Sequence, residues 1–140
     1  MKIVTFLTDG TTVEVKLEDK VCLLFDESGK GKTFVLRRLH QYGLGIGKRY
    51  LFLEQSPGEL ETYLGILNRS NEDDIIMLDD DIEYSMQLIN GIYSTRATVV
   101  CDIKSHSRFP AEYRKQFGRY AFFQDGTKLS IRRVGGENII

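Results

Sequence analysis

The segment DESGKGKT, residues 26–33, ends in a glycine, a lysine and a threonine whose order suits phosphate binding. In the general pattern G-x-x-x-x-G-K-[ST], glycines let the backbone wrap around phosphates, the lysine neutralises the outer phosphate oxygens, and the hydroxyl is a ligand of magnesium. Gly31, Lys32 and Thr33 fill the last three places of this pattern. The segment therefore predicts a phosphate-binding loop.

Asp26 stands where the pattern has its first glycine, at a tight turn that favours a residue without a side chain. Aspartate tolerates left-handed backbone angles better than most residues, so this turn is strained rather than forbidden. A carboxylate directed at a triphosphate would oppose its binding, whereas one directed at solvent costs little. Because Gly29 and Lys30 add flexibility and positive charge, we expect nucleotide binding to be weakened at most. The alternative is a surface turn rich in glycine and lysine.

A second set of reactive side chains, Asp79, Asp80 and Asp81, follows the apolar run IIML. In nucleotide hydrolases an acid at the tip of a buried strand holds magnesium, and the next residue orients or deprotonates the attacking water. We assign the first role to Asp79 and the second to Asp80, where glutamate is the more usual residue. The alternative is that Asp80 and Asp81 cap a helix starting at Ile82, and for Asp81 we favour capping.

The elements that position these groups alternate between strand and helix. Short apolar runs such as VCLLF are typical of strands buried on both faces, and each is followed by apolar residues at helical spacing. Gly43 is interpreted as a helix stop, residues 43–47 as a helix cap and connector, and Asp73 and Asp74 as solvated charges. The predicted buried strands are 21–25, 49–55, 73–81 and 97–103, and the predicted helices are 33–43, 56–67, 82–93 and 109–118.

Two Asp-Gly pairs, Asp9-Gly10 and Asp125-Gly126, lie between runs rich in strand-forming residues, which is a strong hairpin pattern. The β-α alternation between them calls for parallel strands with helices on both faces. We therefore predict a single α/β domain over residues 1–140. It has three layers, a mostly parallel central sheet, and antiparallel hairpins at the N- and C-termini.

The composition is that of a globular protein: 140 residues, 41% of them hydrophobic, with 19 basic and 20 acidic side chains. This charge balance excludes a global attraction to nucleic acid or to an anionic membrane. Cys22 and Cys101 lie within apolar runs and are interpreted as core thiols. Because neither a signal peptide nor an apolar stretch of membrane-spanning length is present, we expect a cytoplasmic protein without membrane insertion.

Together, VCLLFDESGKGKT and IIMLDDD resemble the Walker A and Walker B motifs of P-loop nucleoside triphosphatases. The order of the remaining elements is similar to that of ABC-type ATPases and their DNA-repair relatives. The resemblance implies a P-loop-type domain with ATP and Mg²⁺ as ligands. It also implies a histidine that senses the γ-phosphate, and His106 stands near that position, with Lys104 and Ser105 also in range. The alternative for His106 is an exposed loop residue.

The chain departs from the family in two ways: the motifs are too close for the helical subdomain of ABC proteins, and no LSGGQ-like signature is present. It resembles a minimal core, in which Gln55 is the nearest candidate for the lid-loop glutamine. The catalytic candidates are Lys32, Asp80 and His106, and the metal candidates are Thr33 and Asp79. The nucleotide-binding candidates are Glu27, Ser28, Gly29, Lys30, Gly31, Lys32, Thr33 and Phe34.

Two functions fit these observations. The first is binding of a nucleoside triphosphate, ATP on the family resemblance, with Mg-dependent hydrolysis coupled to another protein or to a nucleic-acid machine. The second is a catalytically degenerate P-loop module that serves as an interaction or regulatory scaffold. Arg108, Arg114 and Arg119 are candidates for stabilising transferred phosphate, in this chain or in a partner, with plain surface charge as the alternative. Arg37 and Arg38, one helical turn beyond the loop, are candidates for a patch that faces a partner or a nucleic acid.

Overall fold

A computed structural model describes residues 1–25, 31–54, 60–79, 82–103 and 117–135. Within these ranges the chain forms eight strands and three helices. None of these helices is long and apolar enough to cross a membrane. The strands are β1 (Lys2–Thr8), β2 (Thr11–Leu17), β3 (Val21–Leu24), β4 (Tyr50–Leu53), β5 (Ile75–Leu78), β6 (Thr98–Asp102), β7 (Gly118–Asp125) and β8 (Lys128–Gly135). The helices are α1 (Lys32–Ile46), α2 (Leu60–Arg69) and α3 (Met86–Ser94).

All eight strands belong to one mixed sheet in the order β1-β2-β8-β7-β3-β6-β5-β4. Every pairing from β7 through β3, β6 and β5 to β4 is parallel. The β1–β2 and β7–β8 hairpins are antiparallel, and β2 joins β8 in parallel. The predicted α/β class and both terminal hairpins are confirmed, and the hairpins make the sheet mixed. The helix predicted over 109–118 lies largely outside the described residues, and Gly118 begins β7.

The first hairpin turns on its Asp-Gly pair as predicted, and the second turns one residue later, on Gly126 and Thr127. Thr8 pairs with Thr11 around Asp9 and Gly10, whose φ angles of 50° and 78° are those that a two-residue type I′ turn requires. In the second hairpin Asp125 pairs with Lys128, and Gly126 takes the positive φ of 63°. The turn chemistry therefore fixes the register of both hairpins.

The core lies on both faces of the sheet. On one face, α1 packs with side chains from β1, β2 and β8, so this end of the sheet curls around the helix. On the other face, α2 and α3 pack against β3, β5 and β6. Cys22 and Cys101 are free and buried, as predicted, and they face opposite sides of the sheet.

Helix α1 is longer than predicted. It continues through Gly43 to Ile46 and ends at Gly47, whose left-handed backbone lets its N–H donate to the Gly43 carbonyl. Residues 43–47 are therefore not a connector, and Gly43 is not a stop. A Cβ at Gly43 would lie 2.8 Å from Cδ2 of Tyr50, so the glycine allows α1 to pack closely on β4.

Helix α3 begins later than predicted, at Met86, with Ser85 as its N-cap. The Ser85 hydroxyl accepts a hydrogen bond from the Leu88 N–H at 3.2 Å. The prediction that a helix begins at Ile82 was therefore wrong, because Ile82 is buried in a non-helical segment and its N–H donates to the Asp79 carbonyl. Asp81, the predicted cap, lies outside the described residues. Asp74 is likewise buried rather than solvated, and its carboxylate accepts from the Asn71 N–H.

Candidate functional site

The chain segments that follow β3 and β6 lead to opposite faces of the sheet. These neighbouring parallel strands are paired, with Leu24 opposite Asp102. After β3 the chain leads to α1 on one face, whereas after β6 it returns at Phe117, which packs in the cluster on the other face. Open α/β sheets bind ligands in the crevice at such a point. We therefore place the candidate site there.

The amino end of α1 opens at this crevice. Gly31 is its N-cap and supplies no side-chain hydrogen bond, and the first turn contains no acidic residue. The Val35 N–H donates to the Gly31 carbonyl at 2.9 Å. Because that bond belongs to the first turn, the N–H groups of Lys32, Thr33 and Phe34 have no acceptor within the helix. Exposed amides at the positive end of a helix dipole favour an anion.

Lys32, the predicted phosphate ligand, forms a buried ion pair. Its Nζ lies 2.8 Å from Oδ1 of Asp102, and each side chain is 3% exposed. Sequence reasoning missed Asp102, although a pattern for it existed: like Asp79, it directly follows a run of apolar strand residues. The structure therefore adds one carboxylate to the predicted set.

Asp79 lies at the same edge of the sheet. Its N–H donates to the Leu53 carbonyl at 3.1 Å, which extends the pairing of β4 with β5. Leu78 pairs with Cys101, so Asp79 and Asp102 occupy adjacent positions on neighbouring strands. Neighbouring strands are about 4.8 Å apart, which places the two acids side by side at the carboxyl edge.

Arg37 brings a second cation to this edge. It donates a hydrogen bond of 2.6 Å to Glu54, the residue that follows β4. That hydrogen bond is the main cause of a raised pKa for the Arg37 guanidinium, and the charges of Glu54 and Asp79 act in the same direction. Arg37 therefore contacts the acid that follows β4, and its charge is also stabilised by Asp79 at the end of β5. Its pair with Glu54 is largely exposed, unlike the pair of Lys32.

Tyr84 connects the two acid-bearing strands. Its buried hydroxyl lies 3.4 Å from the carbonyl oxygens of Leu78, Asp79 and Asp102. Sequence reasoning missed this role because Tyr84 was assigned to a helix. The tyrosine holds the ends of β5 and β6 in a fixed relation.

The other predicted residues fall into two groups. Phe34 is partly exposed, and the Arg38 guanidinium lies 5.0 Å from the centre of its ring. Arg119 lies 5.2 Å above the ring of Phe25, also near the end of β3. The remaining candidates lie outside the described residues: Asp26, Glu27, Ser28, Gly29, Lys30, Gln55, Asp80, Lys104, Ser105, His106, Arg108 and Arg114.

Thr33 and Asp79 fit the chemistry of magnesium, which prefers oxygen ligands and is commonly held by one or two protein groups together with phosphate and water. Among the side chains that the structure describes, no group of three or more His, Cys, Asp or Glu is arranged to hold a metal ion. A cavity of about 530 Å³ between α2 and α3, lined by Gly65, Gly91 and Thr95 among others, is not part of this site.

A scan against protein-family models matches none of them, and a search of curated proteins finds no significant match. The resemblance to P-loop triphosphatases therefore remains a prediction from the motifs.

Proposed function

We propose that this protein binds a nucleoside triphosphate, ATP, together with Mg²⁺, in a three-layer domain of the P-loop type. The observation that carries the proposal is the amino end of α1, where Gly31 supplies no side-chain cap and Lys32 contacts Asp102 at the acid-bearing edge formed by β5 and β6. Thr33 follows Lys32 in the same helical turn. Few other ligands need backbone amides, a lysine, a hydroxyl and strand-end carboxylates at one place.

Each described group has a role in this proposal. The amides of the first turn and Lys32 hold the phosphates, while Thr33 and Asp79 hold Mg²⁺ directly or through water. For hydrolysis, the proposal adds two residues from outside the described ranges: Asp80 would orient the attacking water, and His106 would sense the γ-phosphate. Mg²⁺ would supply positive charge that offsets the charge of the phosphates, and these residues would supply positioning.

The charges at the site make Mg²⁺ a requirement for tight binding. Lys32 is paired with Asp102, and Arg37 is paired with Glu54, so both cations are already neutralised by acids. Asp79 adds a further carboxylate beside Asp102. A free triphosphate would approach the carboxylates of Asp79 and Asp102 without a metal ion to offset their repulsion, whereas its magnesium complex brings compensating positive charge.

The same ion pair favours a second function, a degenerate P-loop module that acts as an interaction scaffold. A lysine whose ammonium is held by a buried carboxylate does not need a phosphate to satisfy its charge. In that case the crevice is closed by its own side chains, and no nucleotide is bound.

Titration calorimetry with ATP and GTP, each with and without Mg²⁺, separates the two functions. The first function predicts heat of binding that depends on Mg²⁺, and a loss of that dependence in Thr33→Val, which removes the hydroxyl but keeps the shape. The matched control is Thr62→Val, an exposed position on α2. Absence of binding by the folded wild-type chain would exclude a nucleotide site.

Hydrolysis is tested on the same preparations. Phosphate release that requires Mg²⁺ and disappears in the double variant Lys32→Ala/Asp102→Ala would identify an ATPase. The double variant removes both charges, so no unpaired buried charge remains to unfold the chain. If the wild-type protein and the double variant release phosphate at the same rate, ATPase activity is excluded. The calorimetry then decides whether the protein binds a nucleotide.

A further inference from the structure

The ammonium group of Lys32 is already bound to the carboxylate of Asp102, although a phosphate ligand would need the same group. The two atoms are in direct contact at 2.8 Å, and both side chains are almost completely shielded from solvent. We infer that Asp102 competes with the phosphates for Lys32, so that binding of a triphosphate requires this ion pair to break. This inference rests on the proposed function and names a regulatory residue of the same site.

Lys32 is placed to exchange partners because it is the first residue of α1. Its flexible stem starts at the amides of the first helical turn, and a rotation about that stem moves the ammonium without moving the helix. Asp102, in contrast, is fixed at the end of β6, where its backbone pairs with Leu24. Lysine is therefore the mobile partner and aspartate the stationary one.

Breaking the pair removes a positive charge from a buried carboxylate that lies beside a second acid. Asp102 and Asp79 are register neighbours, and Asp102 is the buried one of the two. Because loss of a counter-charge is unfavourable for a buried carboxylate, a replacement cation favours the exchange. Mg²⁺ that arrives with the triphosphate supplies that charge, which couples release of Lys32 to binding of the metal complex.

The opposite role for Asp102 is that of a positioning residue, which holds Lys32 in the orientation that phosphates need. The two roles predict opposite results for Asp102→Asn, a change that removes the charge and keeps the shape. Competition predicts tighter binding, because Lys32 is released. Positioning predicts weaker binding, because Lys32 loses its support.

The experiment measures binding of Mg-ATP and of inorganic tripolyphosphate with Mg²⁺ to wild-type protein, Asp102→Asn and Asp74→Asn. Asp74 is a matched control, since it is also a buried acid in an ion pair, with Arg49 at 3.6 Å, but lies at the start of β5. We expect Asp102→Asn to bind both ligands about tenfold more tightly than the wild-type protein. This factor corresponds to release of Lys32 from Asp102 in about one wild-type molecule in ten. Asp74→Asn should bind as wild type.

Equal or weaker binding by Asp102→Asn, with binding by the wild type intact, would overturn the competition and leave the proposed function standing. Failure of both proteins to bind either ligand would overturn the proposed function and the inference with it. If Asp102→Asn does not fold, the NMR resonance of the Lys32 ammonium in the wild-type protein tests the exchange of partners instead. It must shift on saturation with Mg-tripolyphosphate, and an unchanged resonance would contradict the exchange of partners.

Discussion

The ring of Phe122 lies directly against Gly31, so that a Cβ at Gly31 would stand 2.4 Å from Cζ of the ring. Gly31 also has a φ of 99°, an angle that residues with a side chain rarely adopt. Phe122 belongs to β7 and packs against the cluster that contains α1. The last glycine of the predicted loop is therefore required by its backbone angle and by a neighbouring ring, independently of any ligand.

Gly31→Ala should lower the free energy of unfolding by about 2–4 kcal/mol, because backbone strain and overpacking both act on the folded state. Urea denaturation measures the loss. In the double variant Gly31→Ala/Phe122→Ala the clash is removed and the strain remains, so the double should lose less than the sum of the two single variants. Additive losses would show that the ring does not restrict this position.

Two glycines of α1 provide a matched pair with opposite expected effects. Gly43 faces Tyr50, and an added Cβ would lie 2.8 Å from its ring, whereas a Cβ at Gly45 would meet nothing within 4 Å. Gly43→Ala should therefore destabilise the fold by about 1–3 kcal/mol through overpacking. Gly45→Ala should stabilise it by about 0.5–1 kcal/mol, because alanine is the better helix former. Thermal unfolding of both variants beside wild type checks the signs, and a shift in the same direction for both would contradict this packing.

Because Lys32 and Asp102 form a buried ion pair, replacing one of them should destabilise the fold more than replacing both. Lys32→Met leaves Asp102 buried without its cation and should cost about 3–5 kcal/mol of unfolding free energy. Lys32→Met/Asp102→Leu removes both charges and should recover most of that loss, measured by guanidinium denaturation. Arg37→Met is the control for an exposed pair, and little change is expected because solvent screens its contact with Glu54. A double variant no more stable than Lys32→Met would contradict this electrostatic explanation.

Local patterns were sufficient to predict much of the fold. Asp9-Gly10 and Asp125-Gly126 predicted both hairpins because positive φ angles at short turns depend on the residues in the turn itself. The apolar runs predicted the buried strands for a similar reason. The carboxyl end of α1 and the start of α3 were predicted wrongly because tertiary contacts decide them, whereas the start of α1 and the end of α3 were predicted within one residue. Gly43 remains helical since it allows Tyr50 to approach, and Ile82 is buried without being helical.

The site was predictable only where its residues share a motif. Lys32 and Thr33 belong to a contiguous pattern, and Asp79 ends a recognisable strand. Asp102 is 70 positions from Lys32 in the sequence, and no local pattern around Asp102 indicates that it pairs with Lys32. The two meet because β6 lies beside β3 in the sheet, an order that no local pattern specifies. A contact between the ends of strands that are distant in the sequence can therefore be predicted only when the strand order of the sheet is known.

The two buried thiols should make the protein less stable at alkaline pH. Burial raises the pKa of the Cys22 thiol from 9.0 to about 12, and burial raises the pKa of Cys101 as well. Below pH 9 the thiols are protonated in both the folded and the unfolded chain, so their contribution to stability is fully present. Between about pH 9 and 12 the unfolded chain releases a proton that the folded chain keeps, and this stability is lost as the pH rises. Each thiol should contribute a slope of about 1.4 kcal/mol per pH unit.

Urea denaturation of wild type and Cys22→Ala under reducing conditions, from pH 8 to pH 10.5, measures this slope. The variant loses some stability at every pH because it leaves a small cavity, so the comparison is between slopes and not between absolute values. Burial is the main cause of a raised pKa for Tyr120 and remains in both proteins, whereas the smaller part that Cys22 adds to this rise is lost in Cys22→Ala. That loss also makes the decline of the variant shallower. A shallower decline in Cys22→Ala is the expected result. Parallel declines would contradict a protonated Cys22 in the folded core, since removal of the thiol would then leave the proton balance of unfolding unchanged.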